Sequence, residues 1–180
     1  NKALGKGGCI YTYGYCTIEI SDACIAENTA AIGGGIYNGV YSSIDITNTD
    51  ISANTSNSDG GGLYAHNGST SVITDSTISE NSSNNNGGGV YLHTSGTEFT
   101  MNGGEISGNT VIDGQGGGIF AYGNPHVSGF VKITGNTADS ADNNVFLYDC
   151  IVIEEDFDKE SKIGVTLENP PECGEITEIT

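Results

Sequence analysis

The side chains able to do chemistry in this 180-residue sequence are few: 23 Asp and Glu stand against five basic residues, all lysine, with 3 His and 5 Cys. A polysaccharide lyase needs a cationic group beside a carboxylate, and a glycosidase needs carboxylates converging on one bond. Here there is no arginine, and Lys132 is the one lysine away from the two ends. The carboxylates recur irregularly: Glu27 and Glu80 share a repeat position whose other places hold Ala53, Gly108 and Gly135. The expectation is therefore a protein that is not an enzyme and holds no cofactor.

Metal chemistry is weighed at three places. Asp45, Asp50, Asp59 and Asp75 could gather on one side for calcium, although a solvated acidic face explains them without an ion. His66 lies three residues past Leu63 and His93 three past Val90, so these two stack adjacently, whereas His126 is out of phase. Two imidazoles alone make at most a weak metal site. Cys9, Cys16 and Cys24 near the start and Cys150 and Cys173 near the end lack the CxxC spacing of zinc sites. Disulfides in an oxidising compartment suit them better, with Cys150 and Cys173 a pair stapling a carboxy-terminal cap. The pairing of the first three is open, and the odd count leaves one thiol free or paired outside the segment.

Polar side chains of another kind are far more regular. Ile25-Ala-Glu-Asn28, Ile51-Ser-Ala-Asn54, Ile78-Ser-Glu-Asn81, Ile106-Ser-Gly-Asn109 and Ile133-Thr-Gly-Asn136 place one asparagine per repeat, each followed by Ser or Thr. Such a column could present ligands to an ion or sugar. The structural alternative, each amide bonding to the next at a sharp corner where Asn also tolerates left-handed backbone, needs no ligand and is preferred.

The elements that must position this column follow from a second signature. Gly-Gly-Gly, an aliphatic residue and an aromatic recur at Gly33 to Tyr37, Gly60 to Tyr64, Gly87 to Tyr91 and Gly116 to Phe120, with spacings of 27, 27 and 29 residues. Degenerate copies at Gly7 to Tyr11 and Asp142 to Phe146 bring the count to six. No helix start follows the glycines, so they read as tight corners and not phosphate loops. A third apolar patch lies between the signatures at Ile18 and Ile20, Ile44 and Ile46, Val72 and Ile73, Phe99 and Met101. Alternation at period two, β-branched residues and frequent turns predict three short strands per repeat.

Units of about 27 residues with three strands predict an all-β fold, a single right-handed parallel β-helix of about six coils. Coils span residues 1–146, a final coil and cap 147–168, and a linker or following module 169–180, where Pro170 and Pro171 stand. Six coils make a rod roughly 29 Å long at about 4.8 Å per coil. Along each strand that follows the glycines, inward aliphatics send Tyr11, Tyr37, Tyr64, Tyr91, Phe120 and Phe146 outward. That column is expected either to stabilise the rod by ring stacking under a loop or to form an apolar contact stripe for a neighbouring chain, another module or sugar rings.

A net charge of −18 opposes binding to nucleic acid and anionic membrane surfaces, and no stretch is long and apolar enough to span a bilayer, so direct membrane insertion is not expected. The chain starts inside a repeat and reads as a piece of a larger protein.

The Gly-Gly-x-aliphatic and Ile-x-x-Asn pairing resembles the repeats of chlamydial polymorphic outer-membrane adhesins, with Ile where that family usually has Phe. The ending, Ile133-Thr-Gly-Asn-Thr-Ala138, Asn143-Asn-Val-Phe-Leu147 and Lys162-Ile-Gly-Val-Thr166, is similar to the terminal coil of right-handed β-helix surface proteins of anaerobic gut bacteria. The resemblance covers about residues 5 to 167, while the cysteine cluster at the start departs from the pattern. It implies a secreted or wall-attached, extracellular or cell-surface protein with adhesive or uncharacterised roles, and the expected function is structural or adhesive, with other protein modules, copies of the chain or surface glycans as partners. The enzymatic rival is a carbohydrate-binding or polysaccharide-degrading β-helix protein.

Overall fold

The computed structural model describes residues 1–167, and among these described residues there is no helix, so none long and apolar enough to cross a membrane. Three stacked sheets run the length of a solenoid of about six turns. The first has seven strands, among them Ile36–Asn38, Leu63–Ala65, Val90–Leu92 and Ile119–Ala121. The second has nine, including Ser43–Thr47, Thr70–Ser79, Glu98–Ser107 and His126–Thr134. The third is a ladder of six two-residue strands such as Thr55–Ser56 and Ser82–Ser83. Pairing is parallel throughout the named strands except between Thr137–Ala138 and Ala141–Asp142.

Equivalent residues stack directly. Leu63 pairs with Ile36 below and Val90 above, and Ile78 with Ile51 and Ile106, so each aliphatic column sits over itself. These side chains are fully buried and fuse into one axial core. Each such side chain contributes about 1.5–3 kcal/mol by leaving water. Unequal coil lengths are absorbed in turns. Thr70 pairs with Glu98 but Thr100 with His126, and the irregularity at Asn102 and Gly104 restores register before Ile106 meets Ile133.

One predicted core residue is displaced. Val72 pairs with Asp45 and Thr100 on the outward face, and Ser71 takes the inward place between Ile44 and Phe99. Ser71 is tolerated there because buried Asn38, standing where Ala65 and Leu92 stand above, donates from Nδ2 to its Oγ at 2.9 Å and to the Thr70 carbonyl at 2.9 Å. Thr12 Oγ1 donates to Asn38 Oδ1 at 3.0 Å, which completes a buried polar pocket inside the aliphatic core.

After Leu147 the chain lays a further partial coil over the sixth. Val152–Ile153 and Lys162–Ile163 pair with the second sheet and Val165–Leu167 with the first, separated by an acidic loop.

Candidate functional site

The asparagine column is a continuous hydrogen-bonded ladder at the corner between the second and third sheets. Asn28 donates to Asn54 Oδ1 from its backbone N at 3.0 Å and from Nδ2 at 2.8 Å. Asn54 repeats the pair with Asn81 at 2.9 and 2.9 Å, Asn81 with Asn109 at 2.9 and 2.9 Å, and Asn109 with Asn136 at 3.0 and 2.8 Å. The second Nδ2 hydrogen of Asn81 goes to the Ile51 carbonyl at 2.8 Å, and Asn109 does the same to Ile78 at 2.8 Å. These amides are buried, and the bonds that a ligand would need are spent inside the wall.

Two features of the corner were hidden in the sequence. The left-handed residue is not the asparagine but the one before it, with φ of 56° at Glu27, 52° at Ala53, 55° at Glu80, 65° at Gly108 and 67° at Gly135. The irregular column of carboxylates and glycines is thus a backbone requirement. The ladder also continues past the repeats, since Asn1 Nδ2 donates to Asn28 Oδ1 at 2.9 Å and Asn136 donates from N and Nδ2 to Asn144 Oδ1 at 2.8 and 3.0 Å.

The glycine triplet shapes the opposite wall. Gly60 has φ of 68°, a Cβ on Gly61 would sit 2.6 Å from the Ser82 carbonyl oxygen, and one on Gly62 would sit 3.1 Å from Asn81 Nδ2. The first glycine turns the chain, and the other two let this wall close onto the third sheet and the ladder.

The aromatic column points away from the aliphatic core, as alternation requires, but it is not a bare stripe. Tyr37, Tyr64, Tyr91, Phe120 and Phe146 are only 2–8% exposed, and Tyr11 alone lies open at 51%. The rings stack at 4.9 Å from Tyr37 to Tyr64, 5.0 Å from Tyr64 to Tyr91, 5.2 Å from Tyr91 to Phe120 and 5.3 Å from Phe120 to Phe146. The expectation of an exposed contact stripe is corrected here, and its cause is a second ring column two residues further on. His66, His93, Tyr122 and Tyr148 lie over the edges of the first column, with centroid distances such as 6.0 Å for Tyr64 to His66 and 5.2 Å for Phe120 to Tyr122. Burial pushes the phenols of Tyr64 and Tyr91 above the ordinary tyrosine range.

His66 and His93 do stack, at 4.6 Å between centroids. Both Nδ1 atoms are already engaged in hydrogen bonds. His66 Nδ1 accepts from the Asn67 backbone N at 2.7 Å, which places the ring proton on Nε2 and removes that lone pair, and His93 Nδ1 is bonded to the Tyr64 hydroxyl at 2.8 Å. Partial burial, with His93 and Lys6 adding to it, lowers the His66 pKa below its usual value. His126 is elsewhere, paired with Glu154 at 2.6 Å.

The four aspartates named for calcium do not converge on one site. Asp50 and Asp75 line a groove with Asp22, Asn48 and Thr77, Asp45 lies in another with Glu19, and Asp59 accepts from the Asn86 backbone N at 3.0 Å. Among the described residues no group of three or more His, Cys, Asp or Glu could hold a metal ion. Lys132 donates to Glu105 at 2.9 Å, and that hydrogen bond holds the Glu105 carboxyl below the usual range. Cys9, Cys16, Cys24 and Cys150 are free thiols. Cys173 lies outside the described residues, and with it the pair expected for Cys150.

A family model described as the right handed beta helix region matches residues 1–155. No curated protein and no solved structure matches the chain.

Proposed function

The chain belongs to the right-handed β-helix family, and we propose that it serves as a rigid, non-catalytic structural or adhesive segment of a secreted or cell-surface protein. The observation that carries this reading is the pair of side-chain ladders. The amides of Asn28 through Asn136 and the rings of Tyr37 through Phe146 join every coil to the next through buried contacts, so the wall is stiff and its regular polar groups are occupied. Spending side chains this way suits a spacer or display rod more than a site that must open to a substrate.

Catalysis on sugar polymers is the rival. It would need a free cation beside convergent carboxylates. Lys132 is tied to Glu105 and Lys6 to the Tyr37 hydroxyl, and the acidic residues are shared among separate grooves. Incubation with polygalacturonate and alginate, with and without calcium, is expected to release no oligosaccharide. Depolymerisation proportional to protein concentration would replace the structural reading with an enzymatic one.

An adhesive role toward glycans is favoured by the stacked, exposed pair Tyr15 and Tyr41, 5.5 Å apart at a corner of the rod. If they contact sugar faces, Tyr15→Ser lowers retention on immobilised surface glycans without shifting the melting temperature.

A further inference from the structure

The turns that join the first sheet to the second differ from the rest of the surface. Residues 12–16, 39–42, 66–69, 93–97 and 122–125 contain no Asp, Glu or Lys, although the chain carries 23 acidic residues. Rings stand in these turns instead, and in the next one, where Asp149 is the first acid. Tyr41 stacks on Tyr15 at 5.5 Å, His66 on His93 at 4.6 Å and Tyr122 on Tyr148 at 4.4 Å. Tyr41, Tyr122 and Tyr148 are 53%, 38% and 48% exposed.

The fold does not require a ring at position 41. Tyr41 lies in the left-handed region with φ of 57°, and the equivalent place one coil on is Gly68, with φ of 65°. A bulky residue in that conformation costs about 1–2 kcal/mol that glycine does not. A Cβ on Gly68 would sit 2.6 Å from the Tyr41 ring, so the next turn yields its side chain to let the ring lie against it. Among the described residues the one ring that Tyr41 meets is Tyr15, so Tyr41 covers no member of the buried aromatic column. Backbone strain held at an exposed residue that shields no core points to use at the surface.

Hydrogen-bonding groups flank the rings. Ser95, Thr97, Thr100 and Asn124 line a groove of about 410 Å³ beside the fourth and fifth of these turns, with Glu98 and His126 of the second sheet. Rings among uncharged hydroxyls and amides match the two aspects of a neutral sugar chain, whose C–H faces stack on aromatics and whose hydroxyls hydrogen-bond. A basic partner would be drawn to the acidic grooves of the second sheet, and an acidic polymer is repelled by the net charge of −18.

We infer that this ridge is a binding track for a neutral glycan of extended, β-linked pyranoses laid along the rod axis, with Tyr41 towards one end and Tyr122 towards the other. Three coils separate the two, about 14 Å at about 4.8 Å per coil, so a chain of several sugar units is needed to engage both. The inference rests on the adhesive reading of the rod and names its ligand and its place.

The test measures binding of cellohexaose, mannohexaose and chitohexaose, of the matching disaccharides and of polygalacturonate to the parent protein and to Tyr41→Gly. At least one hexasaccharide is expected to bind tenfold or more tightly than its disaccharide, a modest gain for a second linked contact. Tyr41→Gly is expected to bring that hexasaccharide down to the disaccharide level with the melting temperature unchanged or raised, because glycine relieves the strain. Hexasaccharide binding that survives Tyr41→Gly, or that equals disaccharide binding, overturns the track and leaves the adhesive reading standing. Binding of no glycan overturns both. A fall in melting temperature alongside the loss of binding makes the ring structural, and preference for polygalacturonate removes the neutral assignment, so either also overturns the inference. Self-association that Tyr41→Gly abolishes, without sugar binding, overturns it as well and assigns the ridge to a second copy.

Discussion

At the scale of single residues, the asparagines are expected to carry stability out of proportion to their size. Asn81→Ala removes the acceptor for two Asn54 donors and the donors to Asn109 and Ile51, all in a buried wall. Several orphaned groups at about 1–3 kcal/mol each predict a loss of about 3–5 kcal/mol in urea denaturation. Asn28→Ala is expected to cost less, because its lower partner Asn1 is exposed. Tyr64→Ser also becomes a stability substitution, since the ring is buried between Tyr37 and Tyr91 and its hydroxyl holds His93. A loss of about 3–5 kcal/mol is expected, and a melting temperature equal to the parent's would show that the stack contributes little. His66 gives a pH dependence of definite sign. Its pKa in the fold is depressed, so the fold favours the neutral ring. That contribution is complete above the ordinary value of 6.5 and is lost as pH falls through the lower folded value. His66→Gln is expected to flatten the corresponding part of the stability profile, measured as the difference from the parent between neutral and mildly acidic pH.

At the scale of elements, the glycine corner and the asparagine corner are two halves of one device. A Cβ on Gly62 would lie 2.8 Å from the Gly89 carbonyl oxygen and 3.1 Å from Asn81 Nδ2, so Gly62→Ala must push the first wall away from the ladder. Overpacking of this kind costs about 1–3 kcal/mol. Gly135→Ala tests backbone conformation without packing, because nothing lies within 4 Å of its Cβ position and Ala53 already occupies the equivalent place. It is expected to cost about 1 kcal/mol, clearly less than Gly62→Ala. Chemical denaturation of the two variants side by side decides this, and reversed magnitudes would mean that the close approach at Gly62 is relieved at little cost. The strands between these corners tolerate coils of unequal length because extra residues are placed in turns and at the Asn102–Gly104 irregularity.

At the scale of the whole molecule, a charge of −18 is carried on a narrow rod with five lysines. Self-repulsion opposes the compact state and is screened by salt, the Debye length falling from about 30 Å at 0.01 M to about 8 Å at 0.15 M. The melting temperature is expected to rise with sodium chloride, and calcium at matched ionic strength is expected to add no more than screening does. A calcium effect that saturates at low concentration would reveal a site that the separated grooves do not suggest.

The repeat made much of this legible beforehand. Period-two alternation, the Gly-Gly-Gly and Ile-x-x-Asn signatures and their spacing determined an all-β parallel solenoid, the coil length and which asparagines share a column, because a stacked fold places equivalent residues over one another whatever their surroundings. The phase of the aromatic column was legible for the same reason. Its burial was not, since what covers Tyr64 and Tyr91 is a second column two residues further on, whose members His66, His93 and Tyr122 differ in type and so repeat no single ring signature. Tertiary structure also decided that Ser71 rather than Val72 faces inward, because buried Asn38 from another sheet supplies its hydrogen bond. Asn1 and Asn144 join the ladder from positions outside the Ile-x-x-Asn pattern. The periodic sequence dictated how neighbours stack along the axis, and only the closed cross-section decided what meets across it, because contacts such as Asn38 to Ser71 join different repeat positions brought together from separate sheets.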